Sequence, residues 1–340
     1  MAHKAGPDAG PSTAEAAGRE PVGSDPAVSR ARRRALVAAA GGLSSLLAGG
    51  LAGCTNPPKA PPTAPPPATP PPVAAAAPPP PPRRPRIGLA LGGGAARGFA
   101  HIGVIQALEE SGLAPDLLVG TSVGSLVAAL YASGKGGAEL ARVADAMDET
   151  ALIDWSYPGR GLIRGEALAK FVRDMTGRRT IEQMRIPLGI AATDLQSGQA
   201  ILFQRGDTGT AVRASSAVPA VFQPVRIGDR EYVDGGLSAP VPVHHARAMG
   251  AELVIAVDIS AIPEGNPTGD AARILMQSFA IMGRGLKNHE LKDADLVLQP
   301  RLSGVAGTDF TTRRQSIAAG REAAFAQLAA LRGKIAAKSQ

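Results

Sequence analysis

A serine lies between two glycines at residues 120–124, Gly-Thr-Ser-Val-Gly, at the junction of an apolar run and a helical run. Gly-x-Ser-x-Gly is the spelling of a nucleophile elbow, in which the glycines relieve crowding around a strained, exposed serine. The free N–H groups of the following helix favour a developing negative charge. Because serine is also a good helix N-cap, the motif alone leaves Ser122 open between a nucleophile and a cap.

Three consecutive glycines, Gly92–Gly94, follow an apolar run and are themselves followed by Ala-Ala and Arg97. Glycines leave the backbone N–H groups unobstructed, which suits either phosphate binding or an oxyanion hole. No Gly-Lys-Ser/Thr follows, so a Walker loop is excluded, and the dinucleotide fingerprint lacks its last glycine. The oxyanion hole remains, with Arg97 either fixing the loop or pairing with an anionic head group.

Asp234-Gly235-Gly236 follows the short predicted strand Glu231–Val233. An aspartate in a glycine turn at the end of a strand is commonly an Asx-turn. The same carboxylate is also a candidate general base for Ser122.

Strands and helices alternate along residues 86–340, which favours an α/β domain with a mainly parallel sheet covered on both faces. Predicted strands lie at Arg86–Leu91, Asp116–Val119, Pro187–Thr193, Ala200–Gln204, Glu231–Val233, Leu253–Ile259 and Asp295–Gln299. Predicted helices lie at Phe99–Glu110, Ser125–Ser133, Gly165–Met175, Thr210–Ala217, Ala271–Glu290 and after Thr312.

Together these motifs resemble the patatin-like phospholipase family over nearly all of residues 86–330. The stretches that carry the resemblance are GLALGGGAARGFAHIGVIQALEE, GTSVGSLVAALYASG, RASSAVPAVFQPV and YVDGGLSAPVPV. The resemblance implies a three-layer sandwich whose mainly parallel sheet is flanked by helices. It also implies a Ser–Asp dyad without a catalytic histidine, in which Ser122 attacks an ester and Asp234 takes its proton. Gly92, Gly93, Gly94 and Arg97 would form the oxyanion loop, and no cofactor or metal is implied.

Two positions depart from the family pattern. Val123 stands where the elbow usually has a small residue, and it would either crowd the acyl pocket or restrain the start of the helix. Ala95 and Ala96 precede Arg97, so the pattern leaves open which two amides form the hole.

The histidines give a rival interpretation. Ser122, Asp234 and His244 or His245 follow the chain order of an α/β-hydrolase triad. Since Pro240 and Pro242 separate Asp234 from His244, we expect these histidines to start a helix instead. We expect His101 to be a packed or capping residue. A rival of another class is a non-catalytic envelope protein that keeps the fold.

Residues 1–53 are predicted to be a signal peptide. Arg30 and Arg32–Arg34 form a basic region, and Ala35–Gly53 carry no charge. The ending Leu-Ala-Gly-Cys resembles a bacterial lipobox, which implies that Cys54 is lipidated. An uncleaved anchor is the alternative, but five glycines among nineteen residues make a poor membrane span. Arg33-Arg34 also resembles a twin-arginine signal.

Residues 54–85 are predicted to be a linker, because 16 of the chain's 30 prolines lie between Pro57 and Pro85. We therefore expect a membrane-anchored lipoprotein of the bacterial cell envelope, on the periplasmic side. Thr55 is compatible with the outer membrane by resemblance to lipoprotein sorting rules. Leader and linker together carry five of the seven net positive charges, so the domain lacks the basic face of a nucleic-acid binder.

The combined prediction is a serine acyl hydrolase of phospholipid or lysophospholipid esters. The reaction would pass through an acyl-enzyme, with a membrane lipid as substrate. The sequence leaves the head group, the acyl chain and the oligomeric state open.

Overall fold

A computed structural model describes residues 83–156, 160–264, 268–307 and 309–339. The predicted signal peptide, Cys54 and all but the end of the predicted linker lie outside the described residues. No helix within the described ranges is long and apolar enough to cross a bilayer.

Strands and helices alternate through the described residues, as predicted. The strands are β1 Ile87–Leu91, β2 Leu117–Thr121, β3 Gly161–Ile163, β4 Leu188–Asp194, β5 Ala200–Phe203, β6 Ala220–Phe222, β7 Val225–Ile227, β8 Arg230–Asp234, β9 Leu253–Val257 and β10 Leu296–Leu298. The helices are α1 Phe99–Glu110, α2 Val123–Ala132, α3 Gly137–Ala146, α4 Glu166–Met175, α5 Thr208–Ser215, α6 Val243–Ala248, α7 Ala271–Glu290 and α8 Arg313–Lys338.

The main sheet has the order β10-β9-β1-β2-β4-β8-β7. The first five strands are parallel, while β8 pairs antiparallel with β4 and β7 antiparallel with β8. β5 adds an antiparallel pairing on β4, and β3 with β6 form a separate parallel pair. The predicted α/β fold with a mainly parallel sheet is confirmed.

Helices cover both faces of the sheet because successive strand residues point to opposite sides. All five residues of β1 and all five of β9 are buried, as expected for central parallel strands. Leu89 belongs to a cluster with Ile105 of α1 and Leu331 of α8. Its neighbour Ala90 belongs to a second cluster with Ala246 of α6 on the other face.

Helices α1 and α8 meet backbone to backbone at two glycines. A Cβ atom on Gly103 would lie 1.9 Å from the carbonyl oxygen of Ile317. A Cβ atom on Gly320 would lie 1.9 Å from the carbonyl oxygen of Ala100. Neither position therefore accepts a side chain without separating the two helices.

The predicted chemical residues lie at one edge of the sheet. Gly92–Gly94 follow β1 and Ser122 follows β2, and these strands are parallel neighbours. The last residue of β2 pairs with Ala191 of β4. The next residue of β4, Ala192, pairs with Asp234 at the end of β8. This carboxyl edge is where open α/β sheets bind their ligands.

Candidate active site

Ser122 has the backbone of a strained elbow, with φ 53° and ψ −126°. Non-glycine residues rarely adopt positive φ, and such strain occurs often at functional sites. A Cβ atom on Gly120 would lie 2.4 Å from the carbonyl oxygen of Gly124, and one on Gly124 would lie 2.2 Å from that of Leu91. Both glycines of the motif are thus required by close backbone approach.

The hydrogen bonds around Ser122 hold its backbone and leave its hydroxyl out of the helix cap. Its N–H donates to Ser215 Oγ at 2.8 Å, and that hydroxyl donates to the carbonyl of Ala191 at 2.5 Å. Ser122 occupies the N-cap position of α2, yet its side chain makes no capping hydrogen bond. The capping interpretation is therefore wrong. Ser215 was not identified from the sequence, although it lies in one of the stretches that resemble the family.

Asp234 ends β8 and is 7% exposed. Its Oδ1 accepts a 2.6 Å hydrogen bond from the Gly236 N–H, which forms the Asx-turn expected from the sequence. Its Oδ2 is buried and has no hydrogen-bond partner among the described residues. A Cβ atom on Gly235 would lie 2.4 Å from the carbonyl oxygen of Ala191, so this glycine lets the turn pack on β4.

The surroundings of Asp234 shift the pKa of its carboxyl group toward neutral pH. Burial raises the pKa of Asp234 to about 6, and hydrogen bonding from the Gly236 N–H and from the Ser122 hydroxyl opposes part of that rise. The hydroxyl therefore neighbours the carboxylate, although it does not complete a well-formed hydrogen bond to Oδ2. Such contacts are often long before a substrate binds.

The glycine loop lies against Ser122, because a Cβ atom on Gly93 would be 3.3 Å from the Ser122 Cβ. The N–H groups of Gly92 and Gly93 donate within the fold, to the carbonyls of Val257 and Pro240. The next two N–H groups, those of Gly94 and Ala95, donate to no residue that the structure describes. These two amides, with that of the residue after Ser122, are the donors available to an oxyanion.

His101 is hydrogen-bonded to the glycine loop, whereas the side chain of Arg97 is not. His101 is fully buried, and its Nε2 donates to the carbonyl of Gly92 at 2.8 Å. Burial lowers the pKa of His101 to about 4, so the ring is neutral at physiological pH. The half-buried Arg97 side chain makes no hydrogen bond or ion pair with the described part of the chain; burial lowers its pKa, while the Asp258 carboxylate opposes that shift. It is therefore not fastened to the loop by hydrogen bonds.

Val123, the unusual residue of the elbow, packs against the start of α1. A Cβ atom on Gly98 would lie 2.2 Å from a Val123 methyl carbon. The absent side chain at Gly98 thus provides the space for this branched residue. Of the two alternatives for Val123, the contact favours restraint of the helix start.

His244 has acidic partners other than Asp234. Nε2 of His244 lies 2.6 Å from Asp293 Oδ2, and its Nδ1 lies 3.9 Å from Glu290 Oε1. His244 and His245 are the second and third residues of α6, as expected from the prolines before them. The described residues contain no group of three or more histidine, cysteine or acidic side chains arranged to hold a metal ion.

Residues 89–247 match the family model described as patatin-like phospholipase. This part of the chain is a patatin-like phospholipase domain. An uncharacterized NTE family protein of Mycobacterium tuberculosis is 40% identical over 190 residues, which cover 55% of this chain and 52% of that protein. Lysophospholipase NTE1 of Coccidioides immitis is 31% identical over 240 residues, covering 68% of this chain and 15% of that one.

The fold of this patatin-like domain also resembles a solved structure. VipD from Legionella pneumophila matches with a TM-score of 0.52 at 16% identity, over 72% of this chain and 67% of that one. At this identity the likeness supports the fold alone. The chain spans about half the length of the mycobacterial relative.

Proposed function

We propose that this protein hydrolyses carboxylic esters of lipids, with Ser122 as nucleophile and Asp234 as its general base. The observation that carries the proposal is the buried Asp234 carboxylate beside the hydroxyl of a strained elbow serine. One carboxylate oxygen has no partner, so it is available to accept the serine proton. Membership of the patatin-like phospholipase family supports lipid esters as the substrate class.

The reaction has two half-reactions of the same form. Asp234 accepts the proton of the Ser122 hydroxyl while Oγ attacks the ester carbonyl carbon. The tetrahedral intermediate collapses, the alcohol leaves with the proton held by Asp234, and the acyl group remains on Ser122. A water molecule then loses a proton to Asp234 and attacks the acyl-serine, which releases the fatty acid and restores the hydroxyl.

The loop supplies electrostatic stabilisation to the tetrahedral oxyanion. The candidate donors are the free N–H groups of Gly94 and Ala95, in the loop that continues from Gly93, and that of Val123 at the start of α2. Each donor of this kind lowers an acyl-transfer barrier by about 3 kcal/mol.

The lipid is proposed to be a phospholipid or lysophospholipid. One relative is named a lysophospholipase, and the unpaired guanidinium of Arg97 follows the glycine loop directly. A guanidinium without a protein partner is suited to bind a phosphate head group.

The activity test compares Ser122→Ala and Asp234→Asn with the parent chain on phospholipid vesicles and on a soluble chromogenic ester. Both variants should lose hydrolysis while circular dichroism shows an unchanged fold. Ser111→Ala is a matched control, since its hydroxyl bonds only its own helix. Activity in Ser122→Ala would contradict the nucleophile, and a loss of several orders of magnitude in His244→Ala would favour the triad instead.

We also propose that the protein is a lipoprotein of the bacterial cell envelope, tethered through Cys54. The support is the lipobox-like ending and the proline-rich segment that follows it. Mass spectrometry of the mature N-terminus should find an acylated Cys54, and Cys54→Ser should abolish the acylation. An intact leader on the mature protein would contradict this assignment.

A further inference from the structure

Two groups of apolar side chains are exposed on this domain. The first, which we call the Trp155 patch, comprises Ile153, Trp155 and Leu162. The second, the α7 patch, comprises Ile262 together with Ile274, Leu275, Ile281, Met282 and Leu286 of helix α7. Trp155 is 68% exposed and Met282 is 62% exposed, and exposed apolar groups of this size mark interaction surfaces.

The Trp155 patch is connected to the active site through the strand pair of β3 and β6. Trp155 pairs with Ile163 of β3, and β3 pairs with β6. Three residues before β6 is Ala217, whose carbonyl accepts the Asp234 N–H at 3.0 Å. The patch is therefore connected to the proposed general base through one short strand pair.

The α7 patch is connected to Asp234 through the turn that follows this residue in the chain. Helix α7 packs on the turn Gly235–Leu237, which begins at the residue after Asp234. An ion pair of 3.1 Å between Lys287 and the buried Asp258 fastens the helix to the end of β9. Each patch is thus linked to Asp234, the first through the β3–β6 pair and Ala217 and the second through the turn Gly235–Leu237.

Helix α7 exposes a broad, uncharged and mostly apolar face. At about 100° per residue, Ile274, Ile281, Met282, Leu275 and Leu286 fall within an arc of about 140°. Over residues 274–286 this arc contains no charged side chain, and Ser278 is its polar residue. Arg273 and Arg284 lie beside one edge of the arc and each pairs with an acidic side chain, so that edge carries no net charge.

We propose that the Trp155 patch and the α7 patch together dock on the surface of a zwitterionic lipid bilayer. An amphipathic helix with a wide apolar face lies in the plane of such a surface, and tryptophan prefers the same interfacial depth. Because the charges beside α7 are paired, the surface suits neutral head groups. The inference rests on the proposed function, since it names the bilayer as the form in which the lipid ester meets Ser122.

The chain's one tryptophan makes the docking directly measurable. Full-length protein carrying Cys54→Ser and Ser122→Ala, which can be neither lipidated nor active, is titrated with phosphatidylcholine vesicles. We expect a blue shift of Trp155 emission that saturates with lipid and persists at 1 M salt, where surface charge attraction is screened within about 3 Å. An unshifted spectrum at saturating lipid would overturn the proposal.

A variant pair separates docking from catalysis. In the chain with Ser122 intact, Ile281→Ser with Met282→Ser should weaken vesicle binding at least tenfold. It should also lower vesicle hydrolysis at least tenfold more than it lowers hydrolysis of a soluble ester. Phe325→Ser is the matched control, because Phe325 is a comparably exposed apolar side chain on α8. Equal vesicle binding and equal vesicle hydrolysis by the double variant and by Phe325→Ser would overturn the proposal.

The outcomes distinguish this inference from the proposed function. A Trp155 shift in a chain that hydrolyses no ester would support docking and reject the hydrolase. Vesicle hydrolysis without a Trp155 shift would support the hydrolase and reject docking. A shift that appears without lipid, with dimers in sedimentation velocity, would assign the surface to a second copy of this chain and also reject docking.

Discussion

Asp234→Asn is expected to stabilise the fold at neutral pH while it abolishes hydrolysis. The native carboxyl is buried, and its pKa is raised to about 6 from an ordinary value of 3.8. As pH rises, the unfolded chain therefore ionises at this position before the folded chain does. Between about pH 4 and pH 6, ionisation therefore lowers the free energy of unfolding of the parent. An uncharged amide does not ionise, so the variant avoids this loss of stability.

The size of the effect follows from the shift. A rise of about two pKa units corresponds to about 3 kcal/mol of destabilisation above pH 7, at 1.36 kcal/mol per unit. At pH 4 the same linkage leaves only about 0.5 kcal/mol, so the difference between Asp234→Asn and the parent should grow by about 2.5 kcal/mol between pH 4 and pH 8. A changed hydrogen bond to Gly236 displaces the whole curve and leaves this pH dependence intact.

The assay is urea unfolding of both proteins at intervals from pH 4 to pH 8. Asp194→Asn is the control, because Asp194 is another buried carboxyl, on β4, with the opposite electrostatics. Hydrogen bonds from the Ser197 backbone and from Arg230 hold the pKa of Asp194 at about 2. Its carboxylate therefore stabilises the fold throughout this pH range, and Asp194→Asn should be less stable than the parent by a nearly constant amount.

A difference between Asp234→Asn and the parent that stays constant from pH 4 to pH 8 would contradict a raised pKa of Asp234. It would mean that Asp234 ionises as it does in water and that burial does not raise the pKa of the proposed base. A difference that shrinks toward pH 8 would contradict the raised pKa more strongly, because the carboxylate would then stabilise the fold.

Three further outcomes are expected at the same site. Gly93→Ala places a methyl group 3.3 Å from the Ser122 Cβ, and kcat on a soluble ester should fall about 10- to 100-fold. The logarithm of kcat/KM should rise with unit slope up to about pH 6 and then level off, since Asp234 must be ionised to accept a proton. His101→Leu leaves the Gly92 carbonyl without its buried donor and should lower the free energy of unfolding by about 1–3 kcal/mol.

The two substitutions each have a direct control. Gly333→Ala adds a methyl group where no atom lies within 4 Å, so it should keep full activity. Full activity in Gly93→Ala, a kcat/KM that stays constant down to pH 5, or an unchanged unfolding midpoint in His101→Leu would contradict the respective prediction. His101→Gln keeps a donor near Gly92 and should recover part of the lost stability.

The sequence predicts the sheet edge well because its signals are local. The glycines at 92–94, 120 and 124 and the turn after Asp234 lie where the pattern predicts. Most of these glycines are required by residues that are distant in the chain, but the glycine itself marks the position in the sequence. The run Leu253–Ile259, apolar except for Asp258, correctly indicates a central parallel strand, β9.

The parts that the sequence misses depend on distant contacts. Ser215 reaches the Ser122 N–H across 93 positions, and no local pattern distinguishes it from an ordinary helical serine. Which loop amides stay free for an oxyanion depends on the carbonyls of Val257 and Pro240. These accept the N–H groups of Gly92 and Gly93, so neither amide is free. Helix α7 was predicted with its bounds, but its amphipathic pattern alone does not tell that the apolar face is left exposed.

The close contact between helices α1 and α8 can form only after the C-terminal part of the chain has been synthesised. Gly103 and Gly320 meet across more than 200 residues, and the loop residue Ala96 donates to the carbonyl of Gly307. Contacts of such long range form late in folding. A nascent chain that ends between Asp234 and Gly307 contains both side chains but lacks the C-terminal segment that braces the glycine loop. We therefore expect the loop to reach its final geometry only after residues 307–320 have been synthesised.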